Sequence, residues 1–419
     1  MREMKDSGIE WIGAIPAAWG VHRIASHFQE IKEKNTDNAY SNALQFKMGR
    51  IIAKPQKWDE DETNETYSAY TVVHPNTIMI NGLNLEFDFV TQRVARVECD
   101  GIITSAYIAL SPRDDINAKY ICYLFKSYDA CRAFHSMGRG LRKILSYSEL
   151  KNKPIVIPPL AEQERIAAFL DAECAEIDAV LEKTRASIEE YKKLKQAVIT
   201  QAVTKGVRGD RPMKDSGIEW IGEIPAEWDV LNLVAHTSML TPMRDRPENL
   251  DGPIPWIRIE DFEGKYIESS KAGLGVSMKT VKEMNLKVYP VGTILCTSSC
   301  IMGKCAIVSR ELVSNQRFIG IIPDRTTDKT YLYYLMTSNA ERMNFLSTGA
   351  LQANLSRSAF EHLKVQFPPY SEQQEIAAYL DDKCEKIDEL ILKKQQYLTE
   401  IENYKKSLIY EYVTGKREV

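Results

Sequence analysis

Nowhere in this 419-residue chain do apolar residues run unbroken for the ~18–20 positions that a bilayer-crossing helix requires. The opening Met1-Arg2-Glu3-Met4-Lys5-Asp6 leads into a mixed segment without the apolar core of a secretory signal, so the expectation is a soluble, cytoplasmic protein. Charge of one sign is missing too: 54 Lys+Arg stand against 58 Asp+Glu, a net of −4, and no basic excess advertises a polyanionic partner or excludes one. The eight cysteines include no C-x-x-C pair, and Cys296, Cys300 and Cys305 have no histidine nearby, so free thiols are expected rather than a disulfide frame or a zinc site. Motifs for a nucleoside triphosphate (G-x-x-x-x-G-K-[ST]), for catalytic zinc (H-E-x-x-H) and for a dinucleotide (G-x-G-x-x-G) are all lacking. The six histidines form no ligand spacing and no pairing with a nucleophile. What remains is ordinary globular composition, 44% hydrophobic and 27% charged, in a chain long enough for two or three units.

What is present is a duplication. MKDSGIEWIGAIPAAW from Met4 and MKDSGIEWIGEIPAEW from Met213 agree at fourteen of sixteen positions, 209 residues apart. PPLAEQERIAAFLDAECAEIDAVL from Pro158 and PPYSEQQEIAAYLDDKCEKIDELI from Pro368 agree at twelve of twenty-four, offset 210. Between these blocks, roughly 21–145 and 230–355, the halves do not align, although both hold strand-like runs at 76–82, 101–104, 290–295 and 318–323. The frame repeats while the filling differs, and each filling is expected to be a compact α+β domain.

The proline pairs force an extended approach to a helix. Ser371 occupies an expected N-cap with Gln374 completing a capping box, while Ala161 is the poorer cap of the first copy, with Glu164 favourable near the helix start. Both helices then run to Val203 and Val413 without an internal Gly or Pro. One apolar stripe marks the first: Ile166, Leu170, Cys174, Ile177, Leu181, Ile188, Tyr191, Val198 and Ala202. The second carries Ile376, Leu380, Cys384, Ile387, Ile391, Leu398, Ile401, Leu408 and Tyr412 in the same register. That coiled-coil period predicts that two helices of ~40 residues, ~60 Å each, pair with one another. Thr184 and Lys394, and again Lys195 and Lys405, interrupt the stripe, either as register-setting positions or as solvated residues at its edge. MKDSGIEW follows directly from a helix end in the second half but has none before it in the first. An antiparallel pair would bring Val413-Thr414-Gly415-Lys416 back beside Met4 and complete the first half. Phe367-Pro368-Pro369-Tyr370 lacks the acidic or amide residue that would make it an amino-methyltransferase motif, and its twin Ile157-Pro158-Pro159-Leu160 marks both as hinges.

With G-I-E-W-I-G-x-I-P-x-x-W at Gly8–Trp19 and Gly217–Trp228, and P-P-x-x-E-Q-x-x-I-A-x-x-L-D from Pro158 and Pro368, the whole chain resembles the specificity subunit of type I restriction-modification systems. That resemblance implies an α+β architecture: two pseudo-repeated α/β target recognition domains separated by two long helices paired as an antiparallel coiled coil. Residues 1–155 would form the first domain, 156–206 the central helix, 207–366 the second domain and 367–419 the C-terminal helix. It implies a non-catalytic subunit in which each domain reads one half of a split, asymmetric double-stranded DNA site. The helices would set the spacer, at most ~18 base pairs for a ~60 Å rod, and dock two modification (methyltransferase) subunits, with restriction (translocase/nuclease) subunits joining them. No cofactor is expected in this chain; S-adenosylmethionine, ATP and magnesium would belong to those partners. The alternatives are a non-catalytic coiled-coil adaptor without DNA readout, and an enzyme with a cryptic nuclease or methyltransferase site.

The family pattern places a contact loop before each proline hinge. In the first half it offers Arg139, Gly140, Arg142 and Lys143, and in the second Gly349, Gln352 and Asn354. Arg142 and Gln352 are equivalent at offset 210, and arginine suits a guanine edge where glutamine suits adenine. Lys304, Arg317, Gln92 and Arg93 are further candidates beside strands, against the plainer possibility of solvated or phosphate-contacting residues. Trp11, Trp19, Trp220 and Trp228 read as core packing. The near-neutral charge is expected to be segregated, with acids such as Glu173, Glu176, Asp178, Glu189 and Glu190 on the helices and basic runs in the domains.

Overall fold

The computed structural model describes residues 2–55, 66–88, 92–138, 140, 143–242, 246–299, 302–347 and 355–419. The chain divides into two compact units, Met1–Arg185 with Gln396–Val419, and Ala186–Gln395. Each unit therefore contains stretches of both long helices.

In the first unit, strand Met4–Asp6 pairs antiparallel with Ala14–Pro16. The second unit repeats this with Met213–Asp215 and Glu223–Pro225. Gly8, Gly13, Gly217 and Gly222 all have φ between 65° and 72°, so the repeated glycines close a turn that other residues enter only with strain. The apolar residues of the same block point inward: Ile15, Trp19, Ile224 and Trp228 are buried. Trp11 is partly covered, but Trp220 departs from the core-packing expectation. It is 43% exposed, with the Arg342 guanidinium 3.7 Å from its ring centre.

The chain enters and leaves each domain on one antiparallel ribbon, Gly20–Arg23 with Pro154–Ile157 and Asp229–Asn232 with Lys364–Phe367. Between those ribbons the two halves share more than their sequences disclose. The first unit holds a four-stranded sheet ordered Phe28–Glu30, Ile108–Pro112, Ile78–Ile80, Val94–Arg96. The second has the order Thr237–Leu240, Phe318–Pro323, Ile294–Thr297, Cys305–Val308, extended by Tyr266–Ile267 in parallel. A helix follows in each, Ala118–Ala130 capped by the Asn117 side chain and Lys329–Ser338 capped by Asp328. The additions differ: ribbons Leu44–Lys47/Arg50–Ala53 and Thr71–Val73/Gly101–Ile103 in the first, a three-stranded sheet Gly275–Val276, Ile254–Ile257, Val313–Ser314 in the second.

The long helices are Leu160–Lys205 and Tyr370–Val413, 46 and 44 residues, so about 69 Å and 66 Å at 1.5 Å per residue. Their starts correct the capping-box expectation. Ser371 and Ala161 already lie inside the first turn, and the carbonyls of Pro159 and Pro369 accept from the amides of Glu162 and Gln163, and of Glu372 and Gln373. The Glu-Gln repeated in each block has another task. Glu162 accepts from the Trp19 indole at 3.0 Å and pairs with Arg2 at 2.6 Å; Glu372 does the same with Trp228 at 3.0 Å and Arg211 at 2.6 Å. Burial by itself would raise the Glu162 carboxyl, but hydrogen bonds from Arg2 and Trp19 hold it below its ordinary value. The buried Gln163 side chain donates to the carbonyls of Pro158 and Asp115 and accepts from the Asn117 amide, and Gln373 repeats this with Pro368, Thr326 and Asp328.

In each unit the helices run antiparallel. Lys405 meets Asp178 at 2.6 Å and Arg185 meets Glu402 at 2.6 Å in the first; Lys195 meets Asp388 at 2.6 Å in the second. The interruptions at Lys195 and Lys405 are thus one ion pair written twice, while Lys394 lies over the Tyr191 ring and Thr184 donates to the Val180 carbonyl. Ile166, Leu170, Leu181, Ile188, Ile376, Leu380 and Ile387 are buried, and Ile177, Ile391, Leu398 and Ile401 are half-buried. A fully buried Leu or Ile contributes about 1.5–3 kcal/mol against ~0–1 kcal/mol for an exposed ion pair, so packing stabilises the pair and the charges align it. The C-terminal end does complete the first unit: Lys416 donates to the carbonyls of Ile12 at 2.7 Å and Ala14 at 3.1 Å, and Gly415 packs on Pro16 and Trp19 where no side chain fits. In the second unit Arg211 donates to the Lys205 carbonyl and Gln366 to that of Val203.

Candidate nucleic-acid interface

Of the first contact loop, Arg139 and Arg142 lie outside the described residues; Gly140 and Lys143 are exposed. Both have left-handed backbones, φ 79° and 41°, and the Lys143 amide donates to the Gly140 carbonyl at 3.1 Å. The loop is docked on residues 82–85: Leu85 donates to the Lys143 carbonyl, Leu145 donates to that of Gly82, and Gly82 has no room for a side chain against Leu145. Gln92 is exposed beside Gly49.

Arg93 corrects the expectation made for it. Its side chain is fully buried, donating to the carbonyls of Leu83 at 2.7 Å, Asp88 at 2.6 Å and Asn81 at 3.2 Å. Its own amide is held by Asp129 at 2.7 Å, whose carboxyl is pushed up by burial. Arg93 cannot reach a base; it is a pin that shapes the segment against which Lys143 and Leu145 rest.

In the second unit Gly349, Gln352 and Asn354 lie outside the described residues, but the far end of their loop is anchored. Leu355 donates to the Ser298 carbonyl at 2.9 Å, and Ser298 donates to the Arg317 carbonyl at 2.8 Å. Thr297, one residue earlier, pairs with Lys304 through backbone and hydroxyl. Three candidates separated in sequence therefore meet on one rim: the end of the contact loop, exposed Arg317 and exposed Lys304, whose ammonium lies 5.9 Å from the Phe262 ring centre. Beside that rim opens a recess of about 260 Å³ lined by Arg246, Arg258, Asn315, Gln316 and Trp256, none of which the spacing of the sequence singled out.

Sequence reasoning also missed that two histidines are paired with carboxylates in the same way in both units, His27 with Asp115 at 2.7 Å and His236 with Asp324 at 3.4 Å, each pair offset by 209. They tie the start of the first sheet strand to the turn before the capped helix. The repeated offset was the available signal. Among the described residues no group of three or more His, Cys, Asp or Glu side chains is placed to hold a metal ion, and no helix is long and apolar enough to cross a membrane.

A family model described as the type I restriction modification DNA specificity domain matches residues 100–190 and 229–403, well over half of the chain. The type I restriction enzyme MjaIX specificity subunit of Methanocaldococcus jannaschii is 36% identical over 176 residues, 39% of this chain and 40% of that relative. The putative type I restriction enzyme MjaX specificity subunit of the same organism is 24% identical over 97% of this chain and 96% of its own length. A solved chain from work on complex assembly and conformational transition of the type I R-M system superposes with a TM-score of 0.73, covering 96% of this chain and 99% of that one at 14% identity. At that identity the likeness speaks for the fold.

Proposed function

The chain belongs to the type I restriction modification DNA specificity family, a DNA sequence-specificity subunit, and from that membership we propose how its parts divide the work. Residues 1–155 and 207–366 each read one half of a bipartite, asymmetric DNA site, and the helices at 156–206 and 367–419 set the number of unread base pairs between the halves. The observation that carries this division is the shared four-strand order beneath unlike sequences and unlike added strands: one scaffold, presented twice, with two different rims. Unlike rims suit unlike half-sites, because base identity is read by side chains at groove edges and not by the scaffold beneath them.

The reading groups in this proposal are Gly140, Lys143 and Gln92, exposed in the first domain, Lys304 and Arg317 on the rim of the second, and Arg139, Arg142, Gly349, Gln352 and Asn354, which lie outside the described residues. The chain itself makes and breaks no bonds. Two modification subunits dock on the helices and supply S-adenosylmethionine-dependent adenine methylation. Restriction subunits, with ATP and magnesium, add cleavage, all in the cytoplasm.

The test is single-molecule sequencing of methylated adenines in DNA from a host expressing this chain with its modification subunit, followed by exchange of residues 1–155 for those of another family member. One split motif that depends on the chain, with only one half changed by the exchange, is the expected result. A motif changed in both halves overturns the division of labour. No motif from an assembled complex favours an adaptor without DNA readout.

A further inference from the structure

We propose that the recess of the second domain is a base-reading site, in which Arg317 recognises a guanine of the second half-site, Gln316 contacts the neighbouring base and Arg246 holds the adjoining phosphate. This rests on the DNA-specificity reading and adds residues and a base class to it.

The recess lies where two sheets meet. Strand Ile254–Ile257 carries Trp256 and runs parallel to Val313–Ser314, and the turn Asn315–Arg317 then leads into Phe318–Pro323 of the other sheet. That turn is fixed at both ends of Arg317: its amide donates to the Asn315 side chain at 3.0 Å, and its carbonyl accepts from Ser298 at 2.8 Å. The backbone is held while the side chain is exposed, the condition under which a long side chain reads with least loss of freedom.

Charge is concentrated here although the chain as a whole carries −4. Three arginines line the recess, and one carboxylate, Glu260, faces Arg258 at 3.1 Å. Among the described residues no ion pair engages the side chain of Arg317 or Arg246, and the Arg258 Nε is buried without a hydrogen-bond partner. The exposed guanidinium groups of Arg317 and Arg246 are therefore set for an outside acceptor, while Arg258 is held by Glu260. Trp256, 3% exposed, walls the recess and is not available for stacking, which leaves edge recognition. An arginine fork matches guanine O6 and N7, and an amide beside it reads the next base edge. Ser298 links the recess to Leu355: its amide donates to the Arg317 carbonyl and its carbonyl accepts from the Leu355 amide.

The experiment uses the assembled complex of the chain with its modification subunit. Arg317→Ala is expected to relax one position of one half-site in the methylation motif and to lower discrimination at that base by roughly 10-fold or more in competition between duplexes. Gln316→Ala is expected to relax the adjacent position, and Arg246→Gln to weaken all sequences alike and reduce the salt dependence by about one contact. The first half-site, still read in full, reports that the variants are folded and assembled. An unchanged motif with Arg317→Ala overturns the proposal, and so does uniform weakening at every sequence, which would make Arg317 a phosphate contact. A wild-type complex that yields no motif fails at the earlier step and overturns the specificity reading along with it.

Discussion

Replacing Glu372 by alanine tests whether the repeated Glu is a structural knot. Its carboxylate is fully buried, yet it accepts from the Trp228 indole at 3.0 Å and pairs at 2.6 Å with Arg211, itself only 11% exposed. Alanine leaves the indole N–H enclosed without its acceptor and the guanidinium without its shortest ion pair, held only by the Lys205 carbonyl at 3.0 Å and Glu227 at 3.1 Å. Breaking a buried pair from one side costs about 3–5 kcal/mol, and the indole term, ~1–3 kcal/mol, overlaps with it because the two belong to one network. For a unit of 210 residues, Ala186–Gln395, each kcal/mol moves the melting temperature by roughly 2–4 °C, so a fall of roughly 6–20 °C is expected in that unit. Scanning calorimetry of Glu372→Ala beside Asp388→Ala reads it. Asp388 makes an exposed pair with Lys195, which is worth about 0–1 kcal/mol. Equal shifts from the two variants would refute the reasoning. Glu372→Gln, which keeps an oxygen acceptor, is expected to lose less.

Glu162 predicts a pH dependence: its folded value lies below the ordinary 4.5, so its stabilisation is present above that pH and lost as pH falls through the lower folded value. In acid titrations followed by circular dichroism, the stability gap between wild type and Glu162→Gln is expected to close on acidification below 4.5; a gap that persists refutes the assignment. Arg93→Gln is expected to cost about 2–3 kcal/mol through lost charge-assisted bonds and to raise hydrogen exchange at residues 81–85; unchanged exchange there would contradict the pin. Removing seven residues from each long helix at equivalent positions, about 10 Å of helix, is expected to shorten the spacer by up to ~3 base pairs while leaving the bases read unchanged. Altered bases in the sequenced motif would argue against the helices as a ruler.

Family, duplication and helices were legible without coordinates because each is written in local or periodic signals. The G-I-E-W-I-G turn needs glycines at positive φ, and the 209-residue offset repeats it. The alternating three-and-four spacing from Ile166 to Ala202 and from Ile376 to Tyr412 predicts a paired stripe, and the return of Lys416 to Ile12 followed from asking what completes the first half. Capping was misjudged because Ser371 satisfies the local rule, whereas the Glu-Gln beside it is bound by Trp228, Arg211, Thr326 and Asp328, partners remote in sequence. Burial decided the rest. An arginine beside a strand reads the same whether it faces solvent, as Arg317 does, or is buried among backbone carbonyls, as Arg93 is. The common strand order of the two domains left no sequence trace, since a sheet position asks only for an apolar residue of fitting size, which many sequences supply. Periodicity and turn chemistry are properties of neighbours along the chain. The recess at Arg317 is a property of residues as far as 71 positions apart, Arg246 to Arg317, and only folding brings them together.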